Sequence, residues 1–276
     1  MMKKSKRNAK QTKIKTRQKK SARYWKDRAV QMEADKEAQA EKLSRRTQNA
    51  YIRSFKRLNS SIDALYAEIK DKGIDKVTRT DLYNLQKYVA LRDKISEEIK
   101  GLAVEDNAEL ADLLEDIAVK TYKSNLEEFE IDFSIFSEQQ AKAIASQDWS
   151  GVRFSDRIWG NANAFNARVM TDIEDMVING KSPGELKRKL MADYSIKFHE
   201  ADRLIRTEAS HAYNTAALQS YMDAGCEQVD FLAEKDCCEL CEPYSGKRYP
   251  AAYAPTIPVH PNCRCTYLPV VPGITT

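Results

Sequence analysis

The feature that most constrains this chain is a group of cysteines near its C-terminus. Five of the six cysteines and one of the three histidines lie between Asp236 and Cys265. Two cysteines separated by two residues, followed by a loop and then by a His and two more cysteines, form the pattern by which a chain surrounds one tetrahedral metal ion. Closing all four positions of Zn²⁺ with such ligands makes a structural site. The spacing therefore predicts a small metal-stabilised module.

Five side chains compete for four coordination positions. The favoured ligands are the four cysteines, with the histidine as a substitute for one of the last two, and the candidates are Cys238, Cys241, His260, Cys263 and Cys265. The alternative is disulfides or thiols without metal. The charged N-terminus has no apolar signal-peptide core, which disfavours disulfides. We therefore expect a structural Zn²⁺, although the spacing does not distinguish zinc from iron, and we expect Cys226 to be a small buried residue.

The remainder of the chain has mainly helical periodicity. Apolar side chains alternate at steps of four and three along one long predicted helix, 23–73, at Tyr51, Phe55, Leu58, Ile62, Leu65 and Ile69. Large apolar residues are sparse between Trp25 and Tyr51, so this part is predicted to project or to need a partner. Further helices are predicted at 75–102, closed by Gly101, and at 106–125.

The C-terminal half contains clear start and stop signals. One helix is predicted from Phe154 to Asn179-Gly180, a second begins at the capping box Ser182–Glu185, and a third spans Arg203–Ala224. After Gly225 apolar residues alternate with polar ones, which predicts a strand followed by a second short strand at Arg248-Tyr249. The fold class predicted is mainly α, with a multi-helix body and a small C-terminal β-hairpin module held by a metal ion.

These patterns predict four consecutive segments. They are a disordered basic arm at 1–22, an extended helical region at 23–150, a compact helical part at 151–225 and a Cys/His hairpin module at 226–276. No apolar run approaches the roughly 18 residues that a membrane-spanning helix needs, so no membrane span is predicted.

The basic arm concentrates positive charge. The first 23 residues hold eleven Lys or Arg and no acid, so the remaining residues carry a net charge of −7. With so few apolar side chains, the arm cannot offset the entropy lost on ordering. It either makes salt-sensitive contacts with nucleic acid or an acidic partner, or it remains a solvated tail. The candidate contact residues are Lys3, Lys4, Lys6, Arg7, Lys10, Lys13, Lys15, Arg17, Lys19 and Lys20.

Enzymatic patterns are largely missing from the sequence. A zinc deaminase needs His-x-Glu followed by Pro-Cys-x-x-Cys, and a metalloprotease needs His-Glu-x-x-His; neither is present. A metal-stabilised nuclease or toxin-like module is the enzymatic alternative, but the chain offers no obvious general base for it. Arg206, Glu208 and Asn214 share one predicted helix, and we expect them to form a structural ion-pair or hydrogen-bond network without catalytic chemistry.

A set of short motifs resembles a known family. The motifs are Arg203–Glu208, Asn214, Tyr221, Gly225, Cys238-x-x-Cys241, Gly246–Tyr249 and His260–Cys265. In this combination they resemble the minor head protein, or head morphogenesis, family of tailed phages, which includes the phage Mu protein F-like proteins. The resemblance covers about Phe154 to Pro269. Cys237 is a departure, because the family usually carries another residue at that position.

The resemblance implies a phage minor capsid protein that acts at or near the portal during head assembly and can assist DNA packaging or delivery. It implies portal, capsid or scaffold proteins as partners, with phage DNA as a further partner through the basic arm. The implied location is the virion head, and the host cytoplasm during assembly. No enzymatic activity is implied.

Overall fold

A computed structural model describes residues 20–131 and 138–271 of the chain. Within these residues it is 73% helical, with six helices and a small three-stranded antiparallel sheet, which confirms the predicted fold class. The helices are α1 (Ala22–Asp71), α2 (Arg79–Asn84), α3 (Gln86–Glu128), α4 (Glu138–Ala145), α5 (Phe154–Ile178) and α6 (Pro183–Asp223), and the strands are β1 (Gln228–Leu232), β2 (Arg248–Pro250) and β3 (Thr266–Pro269).

Some predictions fall outside the described ranges. They concern nine of the ten candidate contact residues of the basic arm, all within residues 1–19. None of the helices in the described part of the chain contains an apolar stretch long enough to span a bilayer.

Helix α1 is a single helix of 50 residues, and the predicted apolar seam is confirmed in its second half. Leu58, Ile62 and Leu65 are fully buried there. The prediction that its first half projects is wrong. Trp25 and Ala29 are buried, and the Trp25 ring stacks on Phe129 with 4.8 Å between ring centroids. Alanines and paired charges, which the apolar count ignores, complete this buried face.

Helix α3 contradicts the predicted helix end at Gly101. It runs unbroken from Gln86 to Glu128 because Gly101 lies on the exposed face, between turns whose Ile99 and Leu102 are buried. A glycine inside a helix costs only about 1 kcal/mol relative to alanine, less than the burial of these neighbours contributes. A separate short helix, α2, precedes α3 and begins at a reciprocal capping box formed by Thr78 and Asp81.

The signals that begin α6 and end α5 are confirmed. The Ser182 N–H donates to Glu185 Oε2 at 2.9 Å, the Glu185 N–H donates to Ser182 Oγ at 3.2 Å, and Gly180 adopts a φ of 68° beyond α5. Helix α6 then continues to Asp223, joining the two helices predicted there. No Gly or Pro interrupts residues 185–223, so nothing local ends the helix between them.

The sheet has the strand order β2-β1-β3, and both pairs are antiparallel. The two predicted strands are present. Strand β3 was not predicted, because its four residues follow Cys265 directly and end at a proline. It pairs Tyr267 with Phe231 of β1, and both side chains are buried. This pairing places Cys265 at the edge of the sheet.

The chain divides into two compact units, each assembled from separate parts of the sequence. The cysteine unit comprises the described residues of Met1–Glu41, Ala111–Gln147 and Ile205–Thr276, and the helical unit comprises Lys42–Leu110 and Asp148–Leu204. This division differs from the four consecutive segments expected from sequence, because α1, α3 and α6 each contribute residues to both units.

We predict that Asp106→Asn stabilises the protein at neutral pH. Asp106 Oδ2 accepts a hydrogen bond of 2.9 Å from the Tyr51 hydroxyl, but burial raises the pKa of the Asp106 carboxyl to about 6. Its stabilising contribution is therefore complete below about pH 4 and is lost as the pH rises through about 6. Asparagine keeps an acceptor for Tyr51 and should raise the free energy of unfolding by about 1–2 kcal/mol at pH 7.5.

Urea denaturation at pH 4 and pH 7.5 measures this effect. The gain should be close to zero at pH 4. The exposed Asp93→Asn is the matched control, expected to stay within about 0.5 kcal/mol of the parent at both pH values. A loss of stability at pH 7.5 in Asp106→Asn would show that the charged carboxylate is needed.

Candidate metal centre

The cysteine module, residues 225–271, contains an apolar core. Its buried side chains include Val229, Phe231, Ile257 and Tyr267, which cluster with Tyr221 near the end of α6. Three buried cysteines of the predicted metal set belong to the same cluster. The candidate ligands are therefore partly built into the core.

The first ligand-bearing segment is a tight turn at Cys238–Cys241. The carbonyl oxygen of Cys238 accepts hydrogen bonds from the backbone N–H groups of Cys241, at 2.9 Å, and Glu242, at 3.0 Å. A short 3₁₀ turn, Glu242–Tyr244, follows directly. This geometry folds the chain back and brings the Cys238 and Cys241 thiols close together.

The second ligand-bearing segment is the turn at His260–Cys263. The Cys263 N–H donates to the His260 carbonyl oxygen at 3.2 Å, and Asn262 adopts a left-handed φ of 60°, a conformation that asparagine tolerates better than most residues. His260 Nδ1 lies 2.8 Å from the Pro261 carbonyl oxygen, and Nε2 lies 3.2 Å from Cys238 Sγ. Such an arrangement assigns the proton to Nδ1 and leaves Nε2 available as a metal ligand.

All five predicted ligands come together in two overlapping groups. Cys238, Cys241 and His260 form one group, Cys241, Cys263 and Cys265 form the other, and in each the ligand atoms lie within 4.8 Å of one another. The Sγ atoms of Cys241 and Cys263 are 3.8 Å apart. Two thiolates on a tetrahedral zinc with bonds of about 2.3 Å are separated by about 3.8 Å. The cluster can therefore hold a metal ion.

The disulfide alternative does not fit the described cysteines, which are all free thiols. The 3.8 Å between Cys241 Sγ and Cys263 Sγ is far longer than a disulfide bond of about 2.05 Å.

The thiols of the cluster differ in pKa. A hydrogen bond from the Cys265 thiol, with further help from backbone N–H groups, lowers the pKa of Cys263 to about 5. Donating that proton raises the pKa of Cys265, and burial raises the pKa of Cys241 to about 12. A divalent cation at the centre of the group would replace these shared protons and stabilise the thiolates together.

Helix α6 fixes both sides of the second ligand-bearing segment. Asn214 Nδ2 donates to the carbonyl oxygens of Ser210, at 2.9 Å, and Cys265, at 3.2 Å. Thr207 Oγ1 accepts a hydrogen bond of 3.1 Å from the Asn262 N–H. Asn214 thus holds a neighbouring segment, in keeping with the structural role expected for it. Sequence reasoning missed Thr207, although it lies between the two charged residues selected for the network.

The other two residues of the expected network lie on the same helix. The Arg206 guanidinium pairs with Glu37, at 3.0 Å from Nη1 to Oε2, and with Glu41. Glu208 is buried, with 2% of its surface exposed. The arginine therefore pairs with carboxylates of α1, as a structural role requires.

A buried ionic cluster was not predicted at all. Lys36 is 2% exposed, and its Nζ lies 3.1 Å from a Glu33 oxygen and 3.0 Å from a Glu37 oxygen. Despite burial, Lys36 and Arg206 hold the pKa of Glu37 below its usual range. Arg264, which separates two candidate ligands in sequence, lies 3.5 Å from Glu33. Charged residues at helical spacing usually indicate a solvated face, so only the surrounding alanines signalled burial.

Lys20 and His211 each contact another residue of the cysteine unit. Lys20, the one arm residue within the described ranges, pairs with the Glu128 carboxylate and lies 5.0 Å from the Tyr24 ring centre. Burial lowers the pKa of His211 to about 4, and its Nε2 lies 3.3 Å from Gln147 Oε1. His211 is therefore neutral at physiological pH and enclosed by the fold.

We predict that neither remaining cysteine affects metal content. Cys226 is buried in the apolar core, and Cys237 packs against that core, but both lie outside the two ligand groups. Cys226→Ala and Cys237→Ser should each retain the metal content of the parent, measured by inductively coupled plasma mass spectrometry. Cys263→Ser serves as the positive control for loss. Loss of metal in Cys237→Ser would show that Cys237, and not Cys238, is the first metal ligand.

Comparisons of the chain with protein-family models, with curated proteins and with solved structures gave no match. Function is therefore inferred from the residues themselves and from their geometry.

Proposed function

We propose that the cysteine module binds one structural Zn²⁺. Cys241, Cys263 and Cys265 are buried and supply three thiolates, and the fourth ligand is Cys238 or His260. These two are the alternatives because Cys238 Sγ and His260 Nε2 lie 3.2 Å apart and both group with Cys241. His260 would therefore replace Cys238, and not Cys263 or Cys265 as expected from the sequence. Soft thiolates with one imidazole favour zinc over the oxygen-seeking ions Mg²⁺ and Ca²⁺.

The role proposed for the whole chain is that of a phage minor capsid, or head morphogenesis, protein acting at or near the portal. One observation carries this proposal: motifs that resemble that family, although separated along the sequence, belong to one contact network. Thr207 bonds to the His260–Cys263 turn, and Asn214 bonds to Cys265. Because these separated motifs contact one another, they belong to one folding unit. Their co-occurrence in one unit supports the resemblance to the family.

The proposed role is non-enzymatic. A metal-stabilised nuclease or toxin-like enzyme would need an open coordination position and a general base near it. Here Cys241, Cys263 and Cys265 form one group of ligand atoms, and Cys238 and His260 group with Cys241, so one of these two can supply a fourth protein ligand in place of water. His211, the buried histidine of α6, has a pKa of about 4, too low for an efficient base at neutral pH.

The proposed partners are the portal protein and capsid or scaffold proteins, together with phage DNA. DNA contact falls to the basic arm, where ten positive charges are not balanced by any acid. Such contacts are independent of base sequence and weaken with salt.

Quantitative mass spectrometry of purified virions and empty heads of the parent phage tests this role. The portal and the major capsid protein serve as internal standards. We expect a few copies of this chain per portal in both particles. If the chain is missing from both and remains free in the lysate, the head assembly role is wrong, whatever the metal content of the protein.

A further inference from the structure

The helical unit contains an apolar groove between α1 and α6. Its walls are formed by Tyr51, Ile52 and Phe55 on α1 and by Met191, Tyr194 and Phe198 on α6, and it encloses about 400 Å³. This volume is within the range of about 300–1,000 Å³ found for ligand clefts in proteins. We call it the α1/α6 groove.

The groove has a packed aromatic floor and an exposed apolar rim. The Tyr194 ring lies 5.9 Å from that of Phe55 and 5.0 Å from that of Phe165, measured between centroids. Ile52 is 44% exposed and Met191 is 63% exposed. Large apolar side chains on opposite sides of a concave apolar surface are typical of a protein interaction site, because water solvates such a surface poorly.

The charged side chain that lines the groove is basic. From Lys42 to Ile62, α1 contains six Lys or Arg and no Asp or Glu. Lys56 is part of the lining, and no Asp or Glu is among the described residues that form it. On α6, Arg188 is exposed, three residues before Met191. A partner that fills this groove therefore meets positive charge at its edge.

We propose that the α1/α6 groove binds an acidic amphipathic helix of a partner protein. Apolar side chains spaced three and four residues apart would enter the groove, and carboxylates beside them would face the basic rim. A second copy of this chain is a poorer occupant. Its acidic amphipathic stretch in α3 already has Leu110 and Leu114 buried within its own fold. The inference depends on neither the metal site nor the head assembly role.

A pair of synthetic peptides tests the chemistry directly. Both share one helical leucine pattern, and one carries Glu at its polar positions where the other carries Lys. Fluorescence anisotropy with the full chain should show the Glu peptide binding at least about tenfold more tightly than the Lys peptide, since rim charges select the partner. The preference should shrink as salt is raised.

Rim variants locate the binding site. Met191→Glu should weaken binding of the Glu peptide about tenfold, because it places a carboxylate in the apolar rim. Lys56→Glu should reduce the preference for the Glu peptide over the Lys peptide. Ile196→Glu is the matched control, because Ile196 is 48% exposed on the same helix but lies outside the groove. This variant should bind the Glu peptide as tightly as the parent does. Circular dichroism confirms that each variant is folded.

Several outcomes would overturn the inference. They are failure of the Glu peptide to bind, equal binding of both peptides, and equal effects of Met191→Glu and Ile196→Glu. Binding of a single-stranded oligonucleotide that is lost in Lys56→Glu, with no peptide binding, would assign the groove to nucleic acid. Dimerisation in analytical ultracentrifugation that Met191→Glu abolishes would assign it to a second copy of the chain.

Discussion

We expect that removal of the proposed metal ion unfolds the cysteine module and leaves the helical unit folded. Cys241 belongs to both ligand groups, so Cys241→Ser breaks the site at its shared member. The three short strands have only a modest core, and binding of a structural metal is itself a large part of the folding free energy in such modules. We expect local unfolding of residues 228–269 to become easier by at least about 3 kcal/mol.

Hydrogen exchange measured by mass spectrometry resolves the two units. In Cys241→Ser, or after chelation of the parent, amides of the strands should exchange at least about 100-fold faster. Peptides from residues 42–71 should be unaffected, and adding Zn²⁺ back to the chelated parent should restore protection. Cys226→Ala is the matched control. If the strands keep their protection without metal, the apolar core alone maintains the module.

Replacement of Lys36 by alanine destabilises the cysteine unit by about 3 kcal/mol. The lysine is buried beside Glu33 and Glu37, and removing it leaves a buried and a half-buried carboxylate without the cation that they share. Arg264 and Arg206 compensate these carboxylates only in part, because both arginines are more exposed to solvent than the buried Lys36. Thermal or urea denaturation measures the loss.

Two controls separate charge from packing. Lys42→Ala removes an exposed lysine of the same helix and should change the free energy of unfolding by less than about 0.5 kcal/mol. Lys36→Met combined with Glu33→Gln and Glu37→Gln removes every charge of the trio and should recover most of the stability lost. A Lys36→Ala variant as stable as Lys42→Ala would mean that the ionic cluster contributes nothing.

Local signals in the sequence predicted local structure well. The capping box at Ser182–Glu185, the stop at Asn179-Gly180 and the grouping of five metal-ligand candidates each depend on a few neighbouring residues. These features are set by backbone hydrogen bonding and by short turns, whose requirements are readable from residue type. The structure reproduces all three.

Features that depend on distant residues could not be predicted in the same way. Gly101 looked like a helix end, but burial of its neighbours overrides the propensity of one residue. Lys36 looked solvated, because the spacing of charges along α1 does not show that other parts of the chain cover this lysine. Strand β3 is stable only beside β1, and four residues ending in a proline carry no signal of their own.

The sequence predicted which residues form the candidate site but not how they are arranged. Spacing identified the five candidate ligands, but their distribution into two groups sharing Cys241 follows from how α6 holds the second turn. The contacts of Thr207 and Asn214 with that turn span more than fifty residues of sequence. Only the folded chain shows them.

Metal analysis of the purified full chain, combined with X-ray absorption spectroscopy at the metal edge, tests the central claim most directly. We predict one zinc ion per chain with at least three sulfur ligands at about 2.3 Å and a fourth ligand of sulfur or nitrogen. A chain that stays folded with less than a stoichiometric amount of metal, or a metal surrounded by oxygen ligands, would contradict the assignment of this cluster as a structural zinc site.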